Sequence, residues 1–366
     1  MIPLVDLDKQ YASIKSEISA KIEEVIASKA FIQGKYAGEF GDRFAAMHDC
    51  PFGIGCSNGT AAIALALEAL GVGRGDEVIT TTHTFIATAE AICHVGATPV
   101  FVDIDPVTYT IDATKIAERI TARTKAIIPV HLYGHPADMD RIMKLARERN
   151  LKVIEDCAQA HCATLNGRPV GSFGDAGTFS FYPGKNLGAY GDAGAIVTKA
   201  SETAERVRLL LDHGRDKKYV HKIVGYNQRM DGLQAGILLV KLQYLREWTR
   251  KRQEHAALYS ASLKDCADIV LPSALHSVSH VYHLYVIQCG NRDQAIEHLK
   301  AKGIAASIHY PVPLHLQPAF GYLGYRKGDF PVTERIAERI LSLPMYPELL
   351  PEEIRYICSE IKAVAR

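Results

Sequence analysis

Short β-branched segments alternate with longer segments of helical spacing between about residues 52 and 215. Strands are predicted over residues 76–82, 98–103, 124–132 and 151–156, and helices over residues 60–70, 87–94, 113–120 and 137–149. Apolar strands separated by helices are typical of a mostly parallel sheet that is covered on both faces. We therefore predict an α/β fold in which ligands bind beyond the carboxyl ends of the strands.

The pattern changes after a long helical segment that includes residues 230–245. A strand over 281–289, a helix over 292–302, a strand over 305–310 and a last helix over 352–364 predict a smaller α+β unit. We divide the chain accordingly into a large α/β domain over residues 1–240, with a helical arm at its N-terminus, and a small α+β domain over residues 241–366.

Composition and charge narrow the class of protein. The 366 residues include 42 Lys and Arg against 41 Asp and Glu, a formal charge of +1, with 48% hydrophobic side chains. These values are typical of a globular chain. A balanced charge argues against a general nucleic-acid binder, which needs a surplus of basic side chains. Apolar stretches fall short of the roughly 20 residues that span a bilayer, so we expect neither nucleic acid nor membrane as a partner.

The N-terminal segment and the cysteines bear on the compartment. The first residues contain no basic segment followed by an apolar one, so we expect no signal peptide. The eight cysteines are scattered without a CxxC pair, which favours reduced, buried thiols and a cytoplasmic location. Cys157, His161 and Cys162 match no common zinc spacing, and no metal site is predicted.

Two segments carry candidate chemistry, and each has a structural alternative. Residues 55–60 precede an Ala- and Leu-rich helix, where free N–H groups attract phosphate, but Ser57 or Asn58 can equally cap the helix. Asp156 ends a strand, where a carboxylate can keep a ring nitrogen protonated or cap a following helix. No glycine pattern has the strand-to-helix context of a nicotinamide-binding fingerprint, which argues against a nicotinamide oxidoreductase.

Lys185 follows an apolar strand and lies in a loop rich in glycine and aromatic residues. A partly desolvated lysine has a lowered pKa and forms a Schiff base with an aldehyde, whereas a single loop lysine is usually solvated. The combination with Asp156 and the helix start at 55–60 favours the first interpretation. These three parts are what pyridoxal 5'-phosphate (PLP) needs, namely an aldehyde partner, a ring-nitrogen partner and a phosphate cup.

Motifs along nearly the whole chain resemble the DegT/StrS family of PLP-dependent sugar aminotransferases, which have the aspartate-aminotransferase fold (fold type I). They are MIPLVDL, SNGTAAIALAL, GDEVITTTHTFIATAEAI, IEDCAQAH, FSFYPGKNLGAYGDAGAI, GYNQRMDGLQAGIL and HYPVPLHLQPAF. The resemblance implies a transaminase that moves an amino group from L-glutamate to a nucleotide-linked keto sugar. It also implies a homodimer with two shared active sites.

The same resemblance implies roles for individual residues. Lys185 is the implied catalytic residue, which forms the Schiff base and moves protons, and Asp156 would hold the pyridine nitrogen protonated. The other implied cofactor contacts are Gly59, Thr60 and Ser180 at the phosphate, Gln159 and Phe85 at the ring, and Asn227 at the phosphate of the neighbouring subunit's cofactor. Some family members are dehydratases with histidine at the lysine position, so Lys185 favours transamination.

The substrate implied by the closest motifs is a nucleotide-linked 3-keto sugar, aminated at C3. It would be a dTDP-linked 3-keto-6-deoxyhexose or a UDP-linked 3-keto sugar, and the amino sugar would serve a surface polysaccharide, such as lipopolysaccharide O-antigen, or natural-product glycosylation. The implied substrate contacts are Arg229, His309 and Tyr310. Tyr182 stands beside Lys185, where its phenol can contact the sugar or can equally be a packed aromatic of the loop. A 4-keto sugar aminotransferase and a regulatory member of the same fold without catalysis remain as alternatives.

Two local features near the GYNQR motif leave the substrate contacts open. Gln228 differs from the small residue or tyrosine that many relatives carry at that position, and Arg229 can equally cap a helix or pair with Asp231. Residues 213–222 are rich in Lys and Arg, which can bind a diphosphate or form an ordinary solvated loop.

Overall fold

The structure is a computed structural model and describes residues 1–273, 275 and 277–364. The helices in this part of the chain are α1 Leu7–Ser28, α2 Gly34–Ala46, α3 Gly59–Ala69, α4 Ala87–His94, α5 Met139–Arg149, α6 Ser201–Leu211, α7 Gly232–Leu242, α8 Leu245–Leu263, α9 Arg292–Ala301, α10 Pro331–Ala337 and α11 Pro351–Val364. The strands are β1 Phe52–Cys56, β2 Glu77–Thr81, β3 Thr98–Val102, β4 Thr124–Ile128, β5 Lys152–Asp156, β6 Thr164–Leu165, β7 Arg168–Pro169, β8 Ala176–Ser180, β9 Gly194–Thr198, β10 Arg215–Lys217, β11 Val220–His221, β12 Ile269–Val270, β13 Val278–Ser279, β14 Tyr285–Cys289 and β15 Ile340–Leu343.

A seven-stranded sheet forms the centre of the larger part of the molecule, in the order β1-β9-β8-β5-β4-β2-β3. Strands β3, β2, β4, β5 and β8 pair in parallel, and β9 is antiparallel to both of its neighbours, β1 and β8. The prediction of a mostly parallel α/β sheet is confirmed. Because Cys56 and Ser180 both pair with Gly194 of β9, β1 and β8 end at the same edge of the sheet.

Alternating side chains of the strands form two apolar cores, one on each face of the sheet. On one face, Val78, Ile128 and Ile154 pack with apolar residues of α3 and α6. On the other face, Ile79, Ile127 and Val153 pack with apolar residues of α5. Successive strand residues point to opposite faces, so these consecutive pairs of apolar residues show why the strands are almost fully apolar and why the sheet needs helices on both sides.

A second core lies around a three-stranded antiparallel sheet of order β12-β14-β15. Apolar residues of α8, α9 and α11 pack on this sheet, and the N-terminal Ile2 bridges Ile304 beside it. This unit corresponds to the predicted small α+β domain. The proposed division at residue 240 stays a prediction, although α7 continues to Leu242 and α8 begins at Leu245.

Three predicted elements differ from the structure. The helix over 113–120 was wrong, because only the short 3-10 turn Ala117–Arg119 forms there. The Asp112 carboxylate accepts hydrogen bonds from the Thr114 backbone N–H and hydroxyl, and such local bonds compete with a helix. The strand over 305–310 was also wrong, since only a single bridge from Ser307 to Ser342 forms. The strand over 281–289 is confined to β14.

None of the helices in the described residues is both long enough and apolar enough to cross a membrane.

Candidate active site

A cavity of about 920 Å³ lies at the carboxyl ends of the parallel strands, between the central sheet and the smaller unit. It brings together most of the residues that the sequence singled out, which are Gly59, Thr60, Phe85, Asp156, Gln159, Ser180, Tyr182, Lys185, His309 and Tyr310. Asn227 and Arg229 do not line it. The position agrees with the expectation that ligands bind beyond the carboxyl ends of the strands in such a sheet.

The N-terminus of α3 forms one end of the cavity. Asn58 is the helix cap, because its side-chain oxygen accepts the backbone N–H of Ala61 at 2.8 Å. A Cβ atom on Gly59 would lie 2.6 Å from the Cβ of Ser180, so glycine allows the helix start to approach the end of β8. The first N–H groups of a helix have no carbonyl partner within the helix, and here they lie beside the Ser180 hydroxyl. The arrangement is suited to an anionic group.

Asp156 is held at the end of β5 with 5% of its surface exposed. One carboxylate oxygen accepts the Thr88 hydroxyl at 2.8 Å, and the other accepts the backbone N–H of Ala158 at 3.1 Å. No helix follows within the described residues before β6, so the helix-cap alternative for Asp156 was wrong. The carboxylate is fixed on two sides and still lines the cavity.

The neighbouring Glu155 anchors this strand from the other face of the sheet. Its wholly buried carboxylate accepts the backbone N–H groups of Gly171 at 2.8 Å, Phe173 at 2.7 Å and Gly174 at 2.8 Å. His131 Nε2 lies 3.0 Å from it. With these four partners the carboxylate is well satisfied, and the strand end that carries Asp156 is fixed.

Lys185 lies in the loop after β8, half-buried, with its backbone N–H donating to the Tyr182 carbonyl at 2.8 Å. Burial lowers the pKa of Lys185 to about 8, and the negative charge of Asp156 acts against this shift. Within the described chain, its side-chain nitrogen makes no hydrogen bond. The described residues therefore hold Lys185 through the backbone of its loop and not through its side-chain nitrogen.

Gln159 and Phe85 occupy the side of the cavity near Asp156. Gln159 accepts the backbone N–H of Tyr133 at 2.7 Å and donates to the Tyr310 hydroxyl at 3.1 Å, so both ends of its amide are fixed. The Phe85 ring lies 5.7 Å from the Tyr310 ring and is 54% exposed. A free aromatic face at this place is available to stack on a planar ring.

His309 and Tyr310 come from the smaller unit and close the cavity on another side. Burial lowers the pKa of His309 to about 4, and the charge of Lys185 adds to the effect, so the imidazole is neutral at physiological pH. Its Nδ1 lies 2.8 Å from the Ser342 hydroxyl. Tyr133, which the sequence did not single out, donates its hydroxyl to the His309 carbonyl and contacts His83 at 2.8 Å.

Residues 226–229 form an extended segment whose side chains alternate. Tyr226 and Gln228 line the cavity, whereas Asn227 and Arg229 do not, as expected for an extended chain. Asn227 is exposed. Arg229 donates to the Asp212 carboxylate at 2.9 Å, rather than pairing with Asp231.

The basic residues after α6 lie on the two-stranded hairpin of β10 and β11 and are exposed. Arg215 forms an ion pair with Asp212, and Lys222 pairs with Asp216 at 2.9 Å. The hairpin does not line the cavity of its own chain.

Two contacts of the site were missed because they join residues that are distant in the sequence. Thr88 reaches Asp156, and the Ser57 hydroxyl donates to Gln228, which also accepts the backbone N–H of Ser57 at 2.9 Å through its carbonyl. The sequence signal for Thr88 is weak: it follows Phe85 by three residues and lies in the first turn of α4.

The comparisons with known proteins agree with this geometry. The model of the DegT/DnrJ/EryC1/StrS aminotransferase family matches residues 12–362. The chain is 48% identical over 362 residues to a "pleiotropic regulatory protein" of Geobacillus stearothermophilus, covering 98% of this chain and 97% of that protein. It is 46% identical over 361 residues to the UDP-N-acetyl-3-dehydro-alpha-D-glucosamine 3-aminotransferase of Acidithiobacillus ferrooxidans, covering 99% and 97%.

Among solved structures, the chain is similar to DesV of S. venezuelae in complex with a ketimine intermediate. The TM-score is 0.98 and the identity 40%, with 100% of this chain and 98% of that chain covered. Similar solved structures also include PLP and PMP forms. This chain belongs to the DegT/DnrJ/EryC1/StrS aminotransferase family and is a PLP-dependent aminotransferase with the fold of that family.

Proposed function

We propose that this enzyme transfers the amino group of L-glutamate to C3 of a nucleotide-linked 3-keto sugar. The observation that carries the proposal is the cavity, in which Lys185, Asp156 and the N-terminus of α3 lie together. The similarity to a UDP-sugar 3-aminotransferase over nearly the whole chain supports amination at C3 and a nucleotide-linked acceptor. A UDP-linked and a dTDP-linked sugar both remain candidates.

The residues in the cavity fit PLP. When bound, PLP supplies an aldehyde carbon and an electron-withdrawing ring. The cup formed by Gly59, Thr60 and Ser180 would hold its phosphate, since the close approach of α3 to Ser180 leaves N–H groups and a hydroxyl at one place. Asp156 would keep the ring nitrogen protonated through its charge. Gln159 would lie against the ring, and the free face of Phe85 would stack on it.

Lys185 would bind the cofactor covalently and act as the proton-transfer group of the reaction. A general base works best when its pKa lies near the operating pH, and burial lowers the pKa of Lys185 to about 8. A large fraction of the amine is therefore uncharged at weakly basic pH. Its side-chain nitrogen makes no protein hydrogen bond in the described chain, so it is free to move between the cofactor and the substrate carbon.

The sugar would lie between Lys185 and the residues that close the cavity. Tyr182 is exposed beside the loop, and Tyr310 has its hydroxyl fixed by Gln159. Burial lowers the pKa of His309 to about 4, so it would offer a neutral imidazole to a sugar hydroxyl. These three groups are suited to uncharged hydroxyls, because a phenol can donate or accept a hydrogen bond and the Nε2 of a neutral imidazole does one or the other according to its tautomer.

A second copy of the chain would complete the site. Asn227 is exposed and does not line the cavity of its own chain, which supports a role at the phosphate of the neighbouring cofactor in a homodimer. Arg229 and the basic β10–β11 hairpin could serve the nucleotide diphosphate of that neighbour, because Arg and Lys bind phosphate. We place the reaction in the cytoplasm, with its product used for lipopolysaccharide O-antigen, another surface polysaccharide or natural-product glycosylation.

Two alternatives differ from this proposal in a measurable way. A 4-keto sugar aminotransferase would use the same cofactor residues with the sugar in another orientation. A regulatory protein is suggested by the printed name of the relative from Geobacillus stearothermophilus. The lowered pKa of Lys185 and its position beside Asp156 in one cavity favour catalysis.

Glutamate-dependent amination should be assayed with dTDP- and UDP-linked 3-keto and 4-keto sugars, with Lys185→Ala as the inactive control. We expect turnover with a 3-keto substrate that disappears in Lys185→Ala. Preferred turnover of a 4-keto sugar would overturn the assignment to C3. Absence of turnover with all four substrates, in a protein that binds PLP, would favour the regulatory alternative.

A further inference from the structure

The loop that carries Lys185 runs over residues 181–193, between β8 and β9, and contains no helix or strand. Its ends are joined by hydrogen bonds from the Phe181 N–H to the Ala193 carbonyl and from the Ala189 N–H to the Phe181 carbonyl, both at 2.8 Å. A Cβ atom on Gly188 would lie 2.2 Å from the Pro183 carbonyl oxygen, so the chain doubles back tightly there. Any anchor at Gly188 therefore acts on the turn that presents Lys185.

Helix α7 anchors the loop backbone at two places, Gly188 and Tyr190. The Lys241 ammonium donates to the Gly188 carbonyl at 2.6 Å. Two helical turns earlier, the Gln234 side-chain oxygen accepts the Tyr190 N–H at 2.9 Å. Residues at this spacing lie on one face of a helix, so α7 presents a donor and an acceptor together to the loop backbone.

Lys241 is an unusual residue for this position. It is 0% exposed among the apolar residues of α7, and its nitrogen lies 4.5 Å from the centre of the Tyr190 ring. Burial lowers the pKa of Lys241 to about 8, with the charge of Glu348 acting in the opposite direction. No carboxylate in the described chain forms an ion pair with it. Because a buried charge without an ion pair is costly, an apolar side chain would suit the packing better.

The loop is held from the opposite side as well. The Asn186 side chain donates to the Val281 carbonyl at 3.2 Å and contacts His283 Nδ1 at 3.1 Å. Lys185 thus directly precedes the anchor at Asn186 and lies three residues before the anchor at Gly188, while its own side-chain nitrogen has no hydrogen bond in the described residues. The direction in which Lys185 projects depends on these backbone anchors.

We propose that Lys241 is a positioning residue for the reaction, which holds the Gly188 carbonyl and thereby directs Lys185 at the cofactor. The inference rests on the proposed role of Lys185. Its physical basis is that a displacement of about 1 Å in a reacting group can cost about 100-fold in rate. Lys241 does not line the cavity, so it acts on Lys185 only through the loop.

The test compares Lys241→Met, which keeps the length of the side chain and removes the donor, with Lys241→Arg, which keeps a cationic donor. Lys144→Met on the exposed face of α5 makes the same chemical change away from the loop. We expect Lys241→Met to lower kcat about 10- to 100-fold with both KM values within about twofold, without a lower Tm. Lys241→Arg should recover at least part of the loss, and Lys144→Met should resemble wild type.

A measurement without turnover separates positioning from folding. We expect the apo form of Lys241→Met to form the near-visible band of the lysine–PLP linkage about tenfold more slowly than wild type. Its Kd for PMP, which has no aldehyde to react with Lys185, should stay within about twofold. A kcat within twofold of wild type, or a loss of kcat that only follows a loss of folded protein, would overturn the role of Lys241. If Lys241→Met folds poorly, Lys241→Gln replaces it in both measurements.

The variant Lys185→Ala, measured in parallel, separates this inference from the proposed function. Turnover that persists in Lys185→Ala would overturn the proposed role of Lys185 itself. An inactive Lys185→Ala together with a fully active Lys241→Met would overturn only the positioning role.

Discussion

Gly59 offers the sharpest test of the phosphate cup, because a single methyl group would disturb it. In Gly59→Ala the new Cβ would lie 2.6 Å from the Cβ of Ser180, whereas carbon atoms prefer a separation of about 3.5–4.0 Å. Neither atom is at the end of a flexible side chain. The start of α3 and the end of β8 must therefore move apart by roughly 1 Å.

The expected loss follows from the hydrogen bonds that this movement breaks. A hydrogen bond to a charged group contributes about 1.5–3 kcal/mol. The loss of one such bond to the phosphate of PLP raises the Kd by about 10- to 150-fold. We expect the maximal absorbance of the lysine–PLP linkage at saturating PLP to stay near that of wild type, because Lys185 and Asp156 are untouched.

The assay is a titration of the apo enzyme with PLP, followed by the near-visible absorbance. Gly38→Ala is the matched control, because a Cβ at this position in α2 would meet no atom within 4 Å. It should bind PLP like wild type and be slightly more stable, since alanine is favoured over glycine in a helix. An unchanged Kd in Gly59→Ala would refute the placement of the phosphate at this cup.

Three further predictions address other parts of the site. In Asp156→Asn the amide oxygen can still accept the Ala158 N–H, and the amide NH2 can donate to the Thr88 hydroxyl, but the charge is lost. We therefore expect kcat to fall by about 100-fold or more while the Kd for PLP changes much less. A kcat within threefold of wild type would contradict the role of Asp156. In the apo enzyme, burial lowers the pKa of Lys185 to about 8. Because only the uncharged amine reacts, the rate at which an amine reagent labels the Lys185 peptide should rise with pH through about 8 and then level off. A midpoint near 10 would contradict this prediction. The last prediction concerns a site shared between two copies, each site using Lys185 of one copy and Asn227 of the other. Mixing the inactive variants Lys185→Ala and Asn227→Ala under conditions that exchange subunits should then restore about a quarter of the wild-type activity. No recovery in verified mixed dimers would contradict the shared site.

The central sheet could be predicted because its sequence pattern is local. Residues 76–82 and 98–103 are β-branched segments between turns, and β2 and β3 form within these predicted bounds. The pattern failed at 113–120, where Asp112 bonds to Thr114 instead of starting a helix. It also failed at 305–310, where apolar spacing gives no information about whether a partner strand is available.

The site could be predicted in part for the same reason. Lys185 and Asp156 stand in motifs where their chemistry is visible from neighbouring residues. The contacts of Thr88 with Asp156 and of Lys241 with Gly188 join residues 68 and 53 positions apart. Such contacts depend on how helices pack on the sheet, and a buried lysine such as Lys241 cannot be distinguished from an exposed one by its immediate sequence.

The central claim is that Lys185, and no other lysine, binds the cofactor and carries the reaction. Borohydride reduction of the holoenzyme, followed by proteolysis and mass spectrometry, tests it most directly. The test is demanding, because burial lowers the pKa of Lys241 to about 8 as well. Lys241 is therefore a second lysine whose amine is partly uncharged at weakly basic pH. Our account predicts one phosphopyridoxyl group per chain, on Lys185. A label on Lys241 or on any other lysine, or a holoenzyme that takes up no label, would contradict it.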